Sequence, residues 1–364
     1  MGLLIAAGAL LFGFGAAYVA SEDVRYLTRA GFEETRILTG REPISRVATD
    51  SSHPAEVRAA AGLVVDVRSH AIRFGLDANE TYTTYSDVKR DTLLLVLTAS
   101  PANCLCPVTW RYPFVGRVPY RGYFDFEAGE RAAREFADRG HDVHLRPSAA
   151  FSTLGWFNDP LLSTAITRDS VELAALVFHE IAHNTIWVRD ATDFNESFAQ
   201  WVGYQAARRF FLARGDTALA IRAVDRWHDE RILGRYYARL VEQLDSLYAE
   251  RPTGAALAAG RAAVEAGSRH TPAAPLGQSL RTASAPQLAE RPVNNAALIG
   301  VRLYRTDLEL FDGWLWQHGN DLAVAIYALR QLMDGVQGRE AFALLRATVE
   351  PPPAPVPPPA PPPE

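Results

Sequence analysis

Residues 171–188 read VELAALVFHEIAHNTIWV, and the reading of this stretch decides both the architecture and the chemistry. Its apolar residues recur at helical spacing, Asp169 stands where an N-cap belongs, and Glu172 three residues on completes a capping-box signature, so a helix is expected. On that helix His179 and His183 are four residues apart and share one face. Their Cβ atoms are then about 5–6 Å apart, which suits two imidazoles on one Zn²⁺. Glu180 is turned about 100° from His179, so it can face a metal-bound water without being a ligand. This spacing makes Glu180 the expected general base.

A catalytic zinc takes three protein ligands and keeps one position open. Glu196 is the expected third ligand, in DFNESFAQW (residues 193–201), at the start of a second apolar-periodic helix and 13 residues after His183. A turn over residues 189–192 would fold that helix back antiparallel on the first. The same carboxylate also stands three residues after Asp193, where it would close a local capping box instead. His141, His144, His228, His270 and His318 are isolated in sequence and are expected to be ordinary surface or core histidines. The cofactor expected is one Zn²⁺ per chain.

Outward from this motif the chain of 364 residues divides unevenly. Residues 3–20 (LLIAAGALLFGFGAAYVA) carry no charge and are expected to be a signal peptide or membrane anchor, placing the rest in the periplasm or on the non-cytoplasmic side of a membrane. No Lys or Arg precedes the run and no cysteine follows it, so lipidation there is excluded. Residues 21–350 are expected to form one domain around this motif. In it residues 21–91 make a helical layer, with helices over 22–38 and from Pro54; residues 92–165 make a small mixed sheet with an edge strand; and residues 166–350 are helical, with an irregular insert over 251–292. TLLLVLTA (92–99) reads as a strand buried on both faces, and residues 120–145 as strand, helix, strand with a Gly140 stop. The fold class expected is α+β. Residues 351–364 (PPPAPVPPPAPPPE) are an extended, disordered tail or spacer, whose partner, if it recruits one, is unknown.

Composition narrows the function classes. Net charge is −5 and no basic run is interleaved with aromatics, so nucleic acid is not an expected partner. Lys89 is the sole lysine and follows no glycine-rich loop, which excludes a Walker phosphate loop and leaves Schiff-base chemistry almost no candidate. Cys104 and Cys106 are the only cysteines; a disulfide across one intervening residue is uncommon, and two sulfurs do not complete a zinc cage, so they are expected to be plain loop cysteines.

His179-Glu180-x-x-His183 followed by Asn195-Glu196-x-Phe198-Ala199 resembles the glutamate-type zinc peptidases, the gluzincins. The chain is more closely similar to a bacterial family of predicted zinc aminopeptidases. That similarity runs over residues 26–332: Pro43-Ile44, the region of Tyr82 and Tyr85, Tyr120-Arg121-Gly122-Tyr123-Phe124, STLGWFNDP (152–160), the histidine motif and Asn294-Asn295-Ala296. The chain departs from the family in lacking a lipid-acceptor cysteine, in the placement of its cysteines, and in carrying Gln200 where thermolysin-like enzymes have an aspartate beside a ligand histidine. The resemblance implies a zincin-like helical domain and a peptide substrate read from its N-terminus.

A zinc-activated water attacking an amide carbonyl, with Glu180 relaying the proton, is the expected mechanism. Tyr120 and Tyr304 are expected to assist at the oxyanion, and Arg121, Tyr123, Gly155 and Asn295 to contact substrate, Gly155 within a peptide-binding edge over residues 152–159. For the tyrosines, ordinary aromatic packing is the other reading. A carboxylate must grip the free α-amine of an aminopeptidase substrate, with Asp125, Glu127 and Asp159 as candidates. The alternatives are a zinc endopeptidase or amidase acting on other amides, and a non-catalytic, zinc-stabilised, membrane-tethered scaffold.

Overall fold

In the computed structural model, which describes residues 2–112, 116–148, 159–270, 278–291 and 293–349, the chain is α+β. An apolar helix, α1 (Gly2–Ala20), leads into α2 (Glu22–Thr39), whose N-cap Ser21 accepts from Val24 N–H. A helix of 19 residues is about 28 Å long, against about 30 Å of hydrocarbon. Among the described residues no helix is long and apolar enough to cross a membrane. Next come β1 (Arg41–Pro43), the short α3 (Ile44–Val47), α4 (Ala55–Arg73) and β2 (Thr84–Ser86). Thus residues 21–91 are not purely helical. Their two strands have three residues each, too short to show the period-2 pattern by which a strand is recognised.

The sheet region follows: β3 (Leu94–Pro101), β4 (Trp110–Tyr112), β5 (Gly116–Val118), β6 (Arg121–Tyr123), α5 (Phe126–Asp138), β7 (His141–Ser148) and β8 (Leu161–Leu162). The apolar run over 92–99 becomes β3, central and antiparallel between β6 and β7, which explains why nearly all its residues are buried. A second sheet is mixed: β2 pairs antiparallel with β1 and parallel with β8. Gly140 at φ +76° stops α5, a conformation without penalty only for glycine. Cys104 and Cys106 form a disulfide, contrary to the expectation of plain loop cysteines. The turn between them brings their Cα atoms to 5.2 Å, within disulfide reach, and the Ser100 hydroxyl donates to both cysteine carbonyls.

The remainder is helical: α6 (Ser170–Thr185), α7 (Thr192–Ala213), α8 (Thr217–Ala249), α9 (Gly254–His270), α10 (Ala285–Ala289), α11 (Asn295–Arg302), α12 (Leu308–Gln317), α13 (Leu322–Leu332) and α14 (Glu340–Thr348). The insert expected to be irregular over 251–292 contains α9. Its alanine content favours helix, and Gly260 lets it lie against Leu247 of α8. The main core joins α4, α6, α7, α12 and α13 around the fully buried Phe178, Phe194, Phe198, Trp201 and Phe311. Each large side chain buried there contributes about 1.5–3 kcal/mol, which holds α6 and α7 together. The proline-rich tail lies outside the described residues.

Candidate active site

Helix α6 begins as its sequence predicts. Asp169 caps it by accepting from Val171 and Glu172 N–H, but Glu172 does not return the capping-box bond and pairs with Arg226 instead. Arg222 and Arg226 also hold the other Asp169 oxygen. At the C-terminal end, residues 186–191 turn the chain back into α7. Asn195, fully buried, accepts from Val188 N–H and donates to Val188 C=O, both at 2.8 Å, while Gly338 N–H donates to Arg189 C=O. These bonds set the start of α7 against the histidine turn.

The close approach of the two helices needs a glycine. A Cβ on Gly203 of α7 would stand 2.7 Å from the Ala175 carbonyl oxygen and 3.6 Å from His179 Cβ. With that contact, Glu196 reaches the histidines: His179 Nε2 is 3.2 Å from Glu196 Oε2, His183 Nε2 is 3.7 Å from the same oxygen, and the two Nε2 atoms are 3.2 Å apart. No capping box forms between Asp193 and Glu196, because α7 starts one residue before Asp193, with Ala191 as its N-cap. Among the described residues this is the one cluster of His, Cys, Asp and Glu whose donor atoms could share a metal ion.

The donor set fits zinc. Four ligands about 2.0–2.1 Å from a tetrahedral ion lie about 3.3 Å from one another, and the three atoms here are 3.2–3.7 Å apart. With both Nε2 atoms deprotonated, two imidazole nitrogens and a carboxylate oxygen placed in this way could present three lone pairs to one ion. Burial alone would raise the Glu196 carboxyl, but hydrogen bonds from both imidazoles hold it well below the usual carboxylate range. Burial lowers His183, and its hydrogen bond and charge contact with Glu196 more than reverse this. His183 Nδ1 is buried with no hydrogen-bond partner among the described residues.

Around this cluster stand residues from distant parts of the chain. Tyr304 lies just beyond α11 and stacks on His179 with ring centroids 6.1 Å apart. It is fixed there by Ser197, the neighbour of Glu196, whose hydroxyl donates to Leu303 C=O and accepts from Thr306 N–H. Tyr120 precedes β6 and comes within electrostatic reach of Glu196, Glu180 and Tyr304. The charge of Glu196, then burial, raises the Tyr304 hydroxyl; burial first, then Glu196, raises Tyr120. Both phenols therefore keep their protons at neutral pH and can donate a hydrogen bond.

Other expected site residues are placed elsewhere. Arg121 and Tyr123 face α2: the Arg121 guanidinium pairs with Asp23 and lies 3.9 Å from the Tyr26 ring, and Tyr123 meets Tyr26 edge to face. They secure the N-terminal helix to the sheet. Asn295 is fully buried and spent on structure, donating to the Pro101 and Cys104 carbonyls and accepting from Tyr248 O–H. Gly155 and the peptide-binding edge over 152–158 lie outside the described residues. Of the three candidates for the α-amine, Asp125 caps α5 and Glu127 pairs with Arg131 on the surface, whereas Asp159 approaches Tyr82, itself within reach of Glu180.

Two participants were not singled out from sequence. Arg146 of β7 comes close to Tyr304, and its charge acts on the hydroxyls of both Tyr304 and Tyr120. No local pattern marks it; strand pairing with β3 puts it on the face that α11 covers, two residues from His144, whose Nδ1 lies 3.7 Å from a Cβ built on Gly300. Tyr82 is buried and left-handed, φ +58°, a costly state for an aromatic residue. Its backbone is held by Tyr82 N–H to Asp159 C=O, while Thr81 beside it is gripped by Arg68 and by Asn184, which directly follows His183.

The sequence model of a family described as "Putative aminopeptidase" matches residues 25–344. The chain belongs to that family. The match spans α2 through α14 and so contains every residue of the cluster described above. No curated protein and no solved structure matches the chain.

Proposed function

We propose that the chain is a zinc-dependent aminopeptidase that hydrolyses the first peptide bond of its substrate with Glu180 as general base. The observation that carries this reading is the convergence of three metal-competent donors, His179 Nε2, His183 Nε2 and Glu196 Oε2, beside a carboxylate and two protonated phenols. Those three atoms would hold the ion. When bound, zinc supplies a Lewis acid that polarises a carbonyl and makes water acidic near neutral pH.

The chain's own groups do the rest. Glu180 accepts a proton from the attacking water and passes it to the leaving amine, so its carboxylate is restored after each turnover. Tyr304 and Tyr120 donate to the oxygen on which negative charge develops, and Arg146 aligns the Tyr304 hydroxyl. A fixed donor of this kind is worth about 3–4 kcal/mol of barrier.

Export completes the proposal. It is supported by the uncharged run over residues 3–20 and by the exposure of Leu11, Phe12 and Val19 on α1. Sequencing the amino terminus of protein recovered from the periplasm would show cleavage.

The central test compares Glu180→Gln with wild type. Zinc near one per chain in both proteins, with peptide hydrolysis lost in the variant, is the expected result. Turnover undiminished in Glu180→Gln, or wild type that carries no stoichiometric metal, defeats the reading.

A further inference from the structure

A hydrogen-bond donor serves a developing oxyanion only if its oxygen is held within about 0.5 Å of the productive place, and a misplacement of about 1 Å costs about 100-fold in rate. Tyr304 belongs to no helix or strand that could fix it. It lies in residues 303–307, between α11 and α12, stacked on His179. Its place therefore depends on what grips the residues on either side of it.

Two helices do so. The Ser197 hydroxyl of α7 accepts from Thr306 N–H at 3.0 Å and donates to Leu303 C=O at 3.3 Å. The second grip comes from α8 and falls on Arg305, the residue that follows Tyr304. Arg305 Nη2 donates to Glu230 Oε1 at 3.0 Å, and Arg305 Nε stands 2.8 Å from Glu230 Oε2 in ionic contact. Gly234, four residues after Glu230 and so on the same face of α8, meets the backbone of this turn. A Cβ on Gly234 would stand 3.1 Å from the Arg305 carbonyl oxygen and 3.6 Å from Arg305 Cβ. Helix α8 thus holds Arg305 by its guanidinium and abuts its carbonyl.

The chemistry of this contact favours position over stability. The Arg305 and Glu230 side chains are only 16% and 13% exposed. Taking two such charges out of water costs about as much as their attraction returns, so the pair adds little stability over an apolar pair of the same volume. What it adds is geometry, because a planar guanidinium has few good arrangements against a carboxylate. Arg235, one residue beyond Gly234, makes the contrast: it pairs with Glu309 where the side chains are 53% and 45% exposed. Water screens a pair of that kind and leaves it little influence.

We infer that Glu230 and Arg305 are positioning residues, whose buried ion pair, backed by Gly234, holds the turn that keeps the Tyr304 phenol on His179. They act through Tyr304. The inference rests on the oxyanion role given to Tyr304 above, and its test separates the two.

A double-mutant cycle on kcat combines Glu230→Gln with Tyr304→Phe in the zinc-supplemented full chain. Glu230→Gln alone should lower kcat about tenfold or more, with KM little changed and zinc content retained. In the Tyr304→Phe background no hydroxyl is left to misplace, and the same substitution should lower kcat by less than about twofold more. Equal losses in both backgrounds are what a merely structural role produces, and they overturn the inference; so does an unchanged kcat in Glu230→Gln alone. Gly234→Ala, which pushes on the Arg305 carbonyl, should give the same pattern and serves if Glu230→Gln does not fold. Glu309→Gln, which breaks the exposed pair with Arg235, is the control and should keep the wild-type kcat. Amide exchange needs no substrate: residues 303–306 should exchange about tenfold faster or more in Glu230→Gln, with α6 and α7 protected as in wild type. Equal exchange overturns the grip even in a chain that hydrolyses nothing. The two readings fail separately, since a wild-type kcat in Tyr304→Phe defeats the role of the tyrosine, whereas an additive cycle leaves that role standing and removes the pair alone.

Discussion

Gly203→Ala probes the helix contact on which the metal-competent cluster depends. The added Cβ would stand 2.7 Å from the Ala175 carbonyl oxygen, whereas ordinary contacts begin at 3.4 Å, so α7 must move by several tenths of an ångström. The obstacle is backbone on a fully packed helix, and it cannot rotate aside. Overpacking of this kind costs about 1–3 kcal/mol. In a chain of this size that is a fall of about 2–8 °C in melting temperature. The shift acts on Glu196 and His179, which those two helices carry, and metal sites tolerate only about 0.2 Å of ligand displacement. If the strain falls on the ligands, zinc affinity drops by about 5- to 150-fold. The assay is a zinc titration against a chromogenic chelator, with thermal melts of the apo and zinc-loaded protein. Gly62→Ala in α4 is the control, because nothing lies within 4 Å of its added Cβ, and it should leave zinc affinity intact and raise stability slightly. Wild-type zinc affinity together with a wild-type melt in Gly203→Ala would refute the reasoning.

Tyr304→Phe removes a hydroxyl from the oxyanion side while keeping the ring on His179, and kcat should fall about 100-fold with KM little changed; an unaltered kcat in steady-state assays contradicts that role. Asn195→Ala strips both partners from the buried Val188 N–H and C=O. Its cost should be about 2–5 kcal/mol by denaturant unfolding, and a loss under about 1 kcal/mol would show that the turn does not depend on it. Burial, and then the Asp159 charge, raise the Glu34 carboxyl from 4.5 to about 7. A raised carboxyl favours the fold fully below its unfolded value, and that contribution is lost as the pH rises through about 7. Glu34→Gln should accordingly melt with wild type at pH 4 and above it at pH 8, and a melting difference constant across that range would count against the burial of this charge.

What could be read without the structure was local or separated by one turn of chain. The α6 helix, its Asp169 cap, the shared face of His179 and His183 and the return of Glu196 all depend on periodicity, on caps and on a six-residue connection. The central strand of the antiparallel sheet was legible for the same reason, since an unbroken apolar run has few places to go. The misplacements have a common origin. Arg121 and Tyr123 lie beside Tyr120 in sequence, but alternation along β6 and its approach direct them to α2, and only Tyr120 reaches the cluster. Asn295 is polar and fully buried because four partners from other segments claim it, which no neighbouring residue announces.

By itself the amino-acid sequence determined the helices of the second half, the presence of a two-histidine, one-glutamate motif and the class of chemistry these residue types can perform. Hydrogen bonding and side-chain periodicity within one helix act between residues three or four apart, so they are written in the order of the letters. Tertiary structure alone decided which phenols face the cluster and that Arg146 lies behind Tyr304. Those pairings join segments that lie far apart in the chain. They are chosen by how apolar faces bury one another across the whole chain, a condition that no single segment carries.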